Sequence, residues 1–481
     1  GKANQIIDSA FREVSTTESG DQALLPATIA YLKGIFSGSS GIELSRINTK
    51  LPLDRYGINS KMITKMTPQL ENALGRIPSS VFFEHHTIEK LAEYFIRNHE
   101  EALRNVLAIG KGESASKDHS VPRQISAGSV RHDGQTALNR RDDSAEDIAV
   151  IGIGCYYPQA DNLNEFWGNL KAGRDCVTDM PSERPCYEQF LHHEGGEAAR
   201  AHLQGGFIQG VDRFDPLLFN IAPSWAELMD PQERLFLEVA WQSMENAGYS
   251  LKSLSDLHKG KVGVFVGVMY NEYQMYGPVK DGNNVKAASP GYGSVANRVS
   301  FHFGLNGPSM AVDTMCSSSL TSLHLAIDSI RRGECEAAFV GGVNLLVHPN
   351  KSILHSHFNM LSADGRCKSF GEGGDGFVPG EGVGAVLIKP LAQAEADGDH
   401  IYGVIKGSAV NHDGQSNGYT VPNPKAQREV IAAALNNTQI DPRTISYIEA
   451  HGTGTALGDP IEIEGLTAAF NLPEQEKQFC A

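Results

Sequence analysis

The sequence predicts a multi-domain chain: a small all-α bundle, then a polar tether, then a large α/β unit built in layers. Three observations carry that prediction. Apolar residues recur at helical spacing within residues 21–106. Residues 107–146 lack that periodicity, and Ser, Gly, Asp and Arg dominate them. From Asp147 onward, short apolar runs such as VGVFVGV at 262–268 alternate with amphipathic stretches, the pattern of a sheet covered by helices on both faces.

Composition narrows the function. At 481 residues the chain exceeds one ordinary domain, and 41% hydrophobic residues supply a sizeable core. A formal charge of −16 argues against nucleic acid or an anionic membrane as the main partner. The seven cysteines (Cys155, Cys176, Cys186, Cys316, Cys335, Cys367, Cys480) are scattered and form no CxxC pair, so neither a disulfide framework nor a zinc site is indicated. His302, His324, His348, His355, His357 and His412 show no metal spacing supported by other ligands, and no metal is expected. No signal peptide or long apolar run occurs, so the expectation is a cytoplasmic protein with no membrane segment.

The first unit follows in order. Residues 1–20 read as a flexible tail, and Leu25, Ile29, Leu32 and Phe36 make one helical stripe. After a loop, Ile63, Met66, Leu70 and Leu74 make a second stripe closed by Gly75. Asn59 and Ser60 are good N-cap types for it, and Pro68 predicts a kink or an early break. FFEHHT reads as a turn, and Thr87 caps a last helix with Ile88, Leu91 and Phe95 inward. NSKM taken alone makes Ser60 no more than an N-cap. The whole order of helix, long loop, YGINS and FFEHHTIEKLAEYF over 21–106 resembles an acyl carrier protein, particularly those of modular polyketide synthases with free-standing acyltransferases. That resemblance implies 4′-phosphopantetheine on Ser60, with Asn59 where the family usually has aspartate. A helix N-terminus suits the charge of such a phosphodiester. The tether at 107–146 would raise the effective concentration of the carrier's cargo at the next domain.

In the large unit, IAVIGIG at 148–154 is a buried-type strand running into glycines. It is no dinucleotide site: GIGCYY lacks the third glycine, and YPQADNLNEFW follows in place of a phosphate-facing helix. NLNEFWGNLKAG and the stretch from about Pro231 to Ala247 predict helices. Strands are predicted at 262–268, 337–346, 383–391 and 401–410, then a helix over AQREVIAAALNNT. ISYIEAHGTGT predicts a strand ending in a glycine-rich turn that carries His451. Met269 and Tyr270 follow the strand VGVFVGV, where they either touch a bound chain or are plain core.

Between these elements, AVDTMCSSSL puts Cys316 on a strand–turn–helix corner. Leu320, Leu323, Ala326, Ile327 and Ile330 recur at helical spacing after it, and Gly333 sits where such a helix would stop. Unpaired N–H groups at a helix start favour a thiolate and can hold an oxyanion. A buried structural cysteine fits the local residues equally well.

DPQERLFLE, GPSMAVDTMCSSSL, GGVNLL, DGRCKSF, GFVPGEGVGAVLIKPL and EAHGTGTALGDPIE occur in this order between Asp147 and the C-terminus. Together they resemble the β-ketoacyl synthase domain of polyketide and fatty-acid synthases. The resemblance implies a thiolase-like αβαβα layered fold, a homodimer, and work alongside other polyketide synthase domains and carriers. It assigns Cys316 as the nucleophile that takes the acyl chain, and His451 to malonyl decarboxylation or enolate stabilisation. Met269, Asn411 and Thr420 fall to the substrate pocket. The implied activity passes an acyl chain from phosphopantetheinyl Ser60 to Cys316 for decarboxylative Claisen condensation with a malonyl-carrier. The family also has a second histidine in a KSNIGH-like block, and no Gly-His dipeptide occurs here. The second half is therefore expected to be incomplete, awaiting a further C-terminal segment or another chain. A transacylase without elongation, and a carrier and docking module without catalysis, remain as alternatives.

Overall fold

The computed structural model describes residues 24–107, apart from 41, 57–59 and 79–80, and residues 146–481, apart from 183, 185–203, 282–283, 289–290, 359, 417–420, 439, 471–479 and 481. The expected tail and nearly all of the expected tether lie outside the described residues, as does Thr420.

Helices α1 (Leu24–Ser40), α2 (Ser60–Leu74) and α3 (Ile88–Val106) form the helical unit. Leu32, Ile35, Ile63, Leu70, Leu91 and Phe95 meet in its core. The buried face of α1 is centred one position earlier than expected, on Leu24, Ala27, Tyr31 and Ile35, which leaves Leu25 at its rim and 39% exposed. Helix α2 runs unbroken through Pro68, against expectation. Pro68 is on the exposed side, whereas Met66 and Leu70 are buried, so its ring is accommodated away from the core. FFEHHT is partly helical, with one turn over Val81–Glu84. Thr87 caps α3 by accepting the Lys90 N–H at 3.2 Å.

The large unit is organised by one six-stranded sheet. Its strands are β1 (Ile148–Tyr156), β2 (Val262–Val268), β3 (Ser309–Val312), β4 (Ala337–Asn344), β5 (Gly382–Pro390) and β6 (Gly403–Ile405). Their order across the sheet is β6-β1-β5-β4-β2-β3. Strand β2 is parallel to both β3 and β4, and the remaining pairs are antiparallel. All seven residues of β2 are buried, as a strand covered on both faces must be. Its side chains alternate: Val264 and Val266 join the core with Phe236 and Val239 of α5 (Pro231–Asn246) and with Val299 of α6 (Gly293–Phe303). Phe265 instead meets Ala326 and Ile327 of α7 (Ser318–Arg331) on the other face. Helix α4 (Leu163–Ala172) follows β1, and α8 (Asn350–His357) follows β4.

The glycines of β1 have a packing reason. A Cβ on Gly152 would lie 2.1 Å from the Ser243 carbonyl oxygen, and one on Gly154 would lie 2.4 Å from that of Val239. They let α5 lie directly on the sheet.

Two expected strands are not formed as predicted. The run 401–410 pairs only over Gly403–Ile405, and no strand is assigned within 445–455. A strand exists by virtue of its ladder partners, and these residues find few among those described; Tyr447 is 65% exposed. Among the described residues, the second sheet of an αβαβα sandwich is therefore absent. Helices α9 (Pro424–Thr438) and α10 (Gly458–Phe470) pack on each other here.

Candidate active site

The corner at Cys316 is built by its neighbours' hydroxyl groups. Strand β3 ends at Val312, and Asp313 Oδ1 accepts the Met315 N–H at 3.1 Å. Met315 takes a left-handed φ of 58°, unusual for a residue with a side chain. Ser318 Oγ donates to the Met315 carbonyl at 2.5 Å and accepts the Thr314 N–H at 2.9 Å. Ser317 Oγ donates to the Thr314 carbonyl at 2.9 Å, and Thr314 Oγ1 donates to Thr321 Oγ1 at 3.1 Å. The polar run around the cysteine is thus the set of staples that turns strand into helix. Two glycines bring the helix down onto the sheet. A Cβ on Gly267 would lie 2.6 Å from the Ser319 nitrogen, and one on Gly342 would lie 3.0 Å from the Ser319 Cβ. Cys316 emerges exposed, two residues before α7 begins. Leu320 fits the helical stripe yet is 70% exposed, because Ser318 and Ser322 occupy the buried side of the first turns of α7.

His451 arrives from the far end of the chain on a loop fastened twice. Glu462 of α10 accepts the N–H groups of His451 and Gly452 at 2.6 and 2.8 Å. Asp459 accepts the N–H groups of Gly454 and Phe370 at 3.0 and 2.6 Å. Gly452 and Gly454 have φ of 51° and 67°, conformations that favour glycine. Ser369 Oγ donates to the Gly452 carbonyl at 2.5 Å, so DGRCKSF and HGTGT form one assembly.

The two side chains meet. A hydrogen bond from His451 holds the Cys316 thiol below its usual range, against the opposing effect of burial. The same bond raises His451, burial again opposing, with Glu462 and Asp459 adding to the rise. Both shifts run in the direction that favours thiolate beside imidazolium.

The other expected residues are placed unevenly. Met269 is half-buried just beyond β2, at the same sheet end as Cys316, and its carbonyl accepts the Tyr292 hydroxyl at 3.4 Å. Asn411 uses its amide to donate to the Ala426 carbonyl at 2.8 Å, tying its loop to α9. Ser60 is the first residue of α2, whose first turn has no acidic residue to oppose a phosphodiester. Those residues fit 4′-phosphopantetheine, whose thiol carries acyl groups as thioesters. Sequence reasoning missed Glu462 and Asp459. Their signal was two acids just after a glycine-rich turn, at a helix start.

Residues 145–394 match the family model of the β-ketoacyl synthase N-terminal domain, and residues 402–481 that of its C-terminal domain. Residues 30–95 match the phosphopantetheine attachment site. The chain is 48% identical over 493 residues to polyketide synthase PksL of Bacillus subtilis (strain 168), covering 100% of this chain and 11% of the relative. It is 46% identical over 497 residues to polyketide synthase ThaG of Burkholderia thailandensis, covering 97% of this chain and 9% of the relative. Among solved structures, it is similar to the oxazolomycin ketosynthase domain OzmH KS7 of Streptomyces albus JA3453, with 49% identity, a TM-score of 0.63, and 68% of this chain and 56% of that chain covered. It is also similar to the ketosynthase from module 6 of the bacillaene synthase of Bacillus subtilis 168, with 41% identity, a TM-score of 0.63, and 70% of this chain and 56% of that chain covered.

Proposed function

The chain belongs to the β-ketoacyl synthase family, and on that premise we propose that it passes an acyl chain from a phosphopantetheinyl serine, Ser60, to the thiol of Cys316 for elongation. Cys316 attacks the carbonyl carbon of the carrier-bound thioester. The bond from that carbon to the carrier sulfur breaks, and His451 gives its proton to the departing thiolate. In the condensation, a malonyl-carrier loses carbon dioxide and its α-carbon attacks the acyl-Cys316 carbonyl. Cys316 leaves as thiolate, and His451 donates a hydrogen bond to the enolate oxygen as charge develops. The chain spans about a tenth of the length of the curated relatives it matches, and 56% of the solved ketosynthase chains. Elongation is therefore assigned to the ketosynthase domain as a whole, including any part outside this sequence.

The observation that carries the reading is the effect of His451 on Cys316, which lowers the thiol and so favours a nucleophile in an exposed position. The proposed organisation is a carrier over 21–106, a tether over 107–146 and a ketosynthase from 147 to 481. We assign its partners as other polyketide synthase domains and carriers, and a second copy of this chain. A homodimer is supported by β3, which is an edge strand with Met310 39% exposed, and by Phe301 of α6, 80% exposed. A reducing, cytoplasmic setting accords with the free state of every described cysteine.

Intact-mass spectrometry tests this. Incubation with an acyl-pantetheine thioester should add one acyl group at Cys316, and Cys316→Ala should abolish it. Acylation without carbon dioxide release from a malonyl-carrier would reduce the function to transacylation. No acylation at all would leave only a carrier and docking role. A phosphopantetheinyl transferase with coenzyme A should modify Ser60, and Ser60→Ala should stay unmodified.

A further inference from the structure

Beside the acyl site lies a buried lysine that the chemistry above does not use. Strands β2 and β3 are parallel and in register at Gly267 and Val312, so Tyr270 and Cys316 leave the sheet at the same end, close enough for Cys316 to act electrostatically on the Tyr270 phenol. Neighbouring strands lie about 4.8 Å apart. The Tyr270 backbone is clamped: its carbonyl accepts Gln232 Nε2 at 2.6 Å, and Gln232 Oε1 accepts the Leu345 N–H at 3.3 Å. Its ring is held too. Lys351 Nζ sits 4.6 Å from the ring centroid, and the His355 ring packs edge-on at 6.3 Å. Lys351 is 2% exposed, and its ammonium is fixed by Asn344 Oδ1 at 2.5 Å and the Leu345 carbonyl at 3.2 Å. The Tyr270 hydroxyl, by contrast, has no hydrogen-bond partner among the described residues, and the ring is only half-buried. A phenol oriented from behind, with its donor unused, sits next to the nucleophile.

We propose that Tyr270 is a specificity-determining residue of the acyl site, donating its phenol to an oxygen on the β-carbon of the acyl chain, and that Lys351 is the positioning residue that holds its ring. An oxygen on the β-carbon of a cysteinyl thioester reaches about as far as one strand spacing. The substrate class is then β-hydroxyacyl or β-ketoacyl thioesters in preference to saturated ones. This rests on Cys316 being the acyl acceptor. Charges around the pair agree with it. Burial raises the Tyr270 phenol, with Glu272, Cys316 and Asp313 adding, so it stays a protonated donor. Burial pulls Lys351 down to about 8, against the attraction of Glu272, Glu381 and Asp230. Glu381 is itself paired with Arg184 at 3.0 Å, and His355 faces the same ammonium.

The test is competitive acylation of the full chain by 3-hydroxybutyryl- and butyryl-pantetheine, read by intact mass. Taking the ratio cancels the titration of Cys316. Wild type should favour the hydroxyacyl donor, and Tyr270→Phe should lower that preference about fivefold, the loss of one hydrogen bond. Lys351→Met should lower it similarly, and Lys351→Arg, which keeps a cation over the ring, should restore it. In wild type the preference should fall as pH rises through about 8, where Lys351 loses its charge, and stay flat in Lys351→Arg. If Lys351→Met does not fold, Tyr270→Phe and the pH profile decide. Both donors acylating with a ratio unmoved by Tyr270→Phe overturns this inference alone. Failure of both donors to acylate wild type overturns the acyl-acceptor reading beneath it.

Discussion

Replacing His451 with alanine removes the hydrogen bond that holds the Cys316 thiol below its usual range, and the consequence can be worked through. A hydrogen bond to a charged partner contributes about 1.5–3 kcal/mol. Both side chains, although partly desolvated, keep contact with solvent, so screening makes the lower end the expectation. Losing about 1.5 kcal/mol costs at most about tenfold in thiolate at pH 7, while the more basic sulfur becomes about threefold more nucleophilic. The net loss in alkylation rate is therefore only about threefold, and the pH profile is the sharper readout. Cys316 alkylation by iodoacetamide, followed by peptide mass, should inflect below the ordinary thiol range in wild type. It should inflect at higher pH in His451→Ala. Cys316→Ser supplies the background. Superimposable profiles for wild type and His451→Ala would refute the coupling of the two side chains and the nucleophile argument built on it.

Three other perturbations have defined outcomes. Gly267→Ala places a Cβ 2.6 Å from the Ser319 nitrogen, so thermal unfolding should show a loss of about 1–3 kcal/mol, with slower Cys316 alkylation as α7 lifts. Lys389 is fully buried between Asp397 at 2.5 Å and Asp399 at 2.7 Å; Lys389→Met leaves both carboxylates uncompensated and should lose about 3–5 kcal/mol in denaturant titration. Burial pushes the Glu238 carboxyl up to about 7, so the folded chain holds a proton that the unfolded chain releases near pH 4. Stability from this group is present in acid and lost as pH rises through about 7, so Glu238→Gln should raise the melting temperature at pH 8 and leave it unchanged at pH 4.

The features legible in the sequence were those set by near neighbours. The run VGVFVGV is β2 residue for residue, because an unbroken apolar stretch between helices can only be a covered strand. The Cys316 corner was legible for the same reason: its staples, from Asp313 to Thr321, lie within nine residues of one another. What escaped depends on distant partners. Residues 445–455 have strand composition but need a neighbouring ladder. Asn411 has the chemistry of a pocket residue, and only the position of α9 reveals that it fastens a loop. Pro68 reads as a helix breaker until its solvent-facing position is known. The glycines of β1 resemble a nucleotide loop in sequence and turn out to be a bed for α5.

The fastenings of the His451 loop carry a consequence for timing. Glu462 and Asp459 hold that loop by its backbone, so its shape does not depend on the bond to Cys316. The corner at Cys316 is likewise secured from within. Two independently fastened pieces therefore face each other at the cysteine and the histidine. On the proposed transfer, an acyl group on the sulfur would end that pairing without any backbone adjustment and leave the imidazole held in place. Under the proposed transfer, loading the thiol would free the histidine for the following step, an order favoured by the way the two loops are tied down.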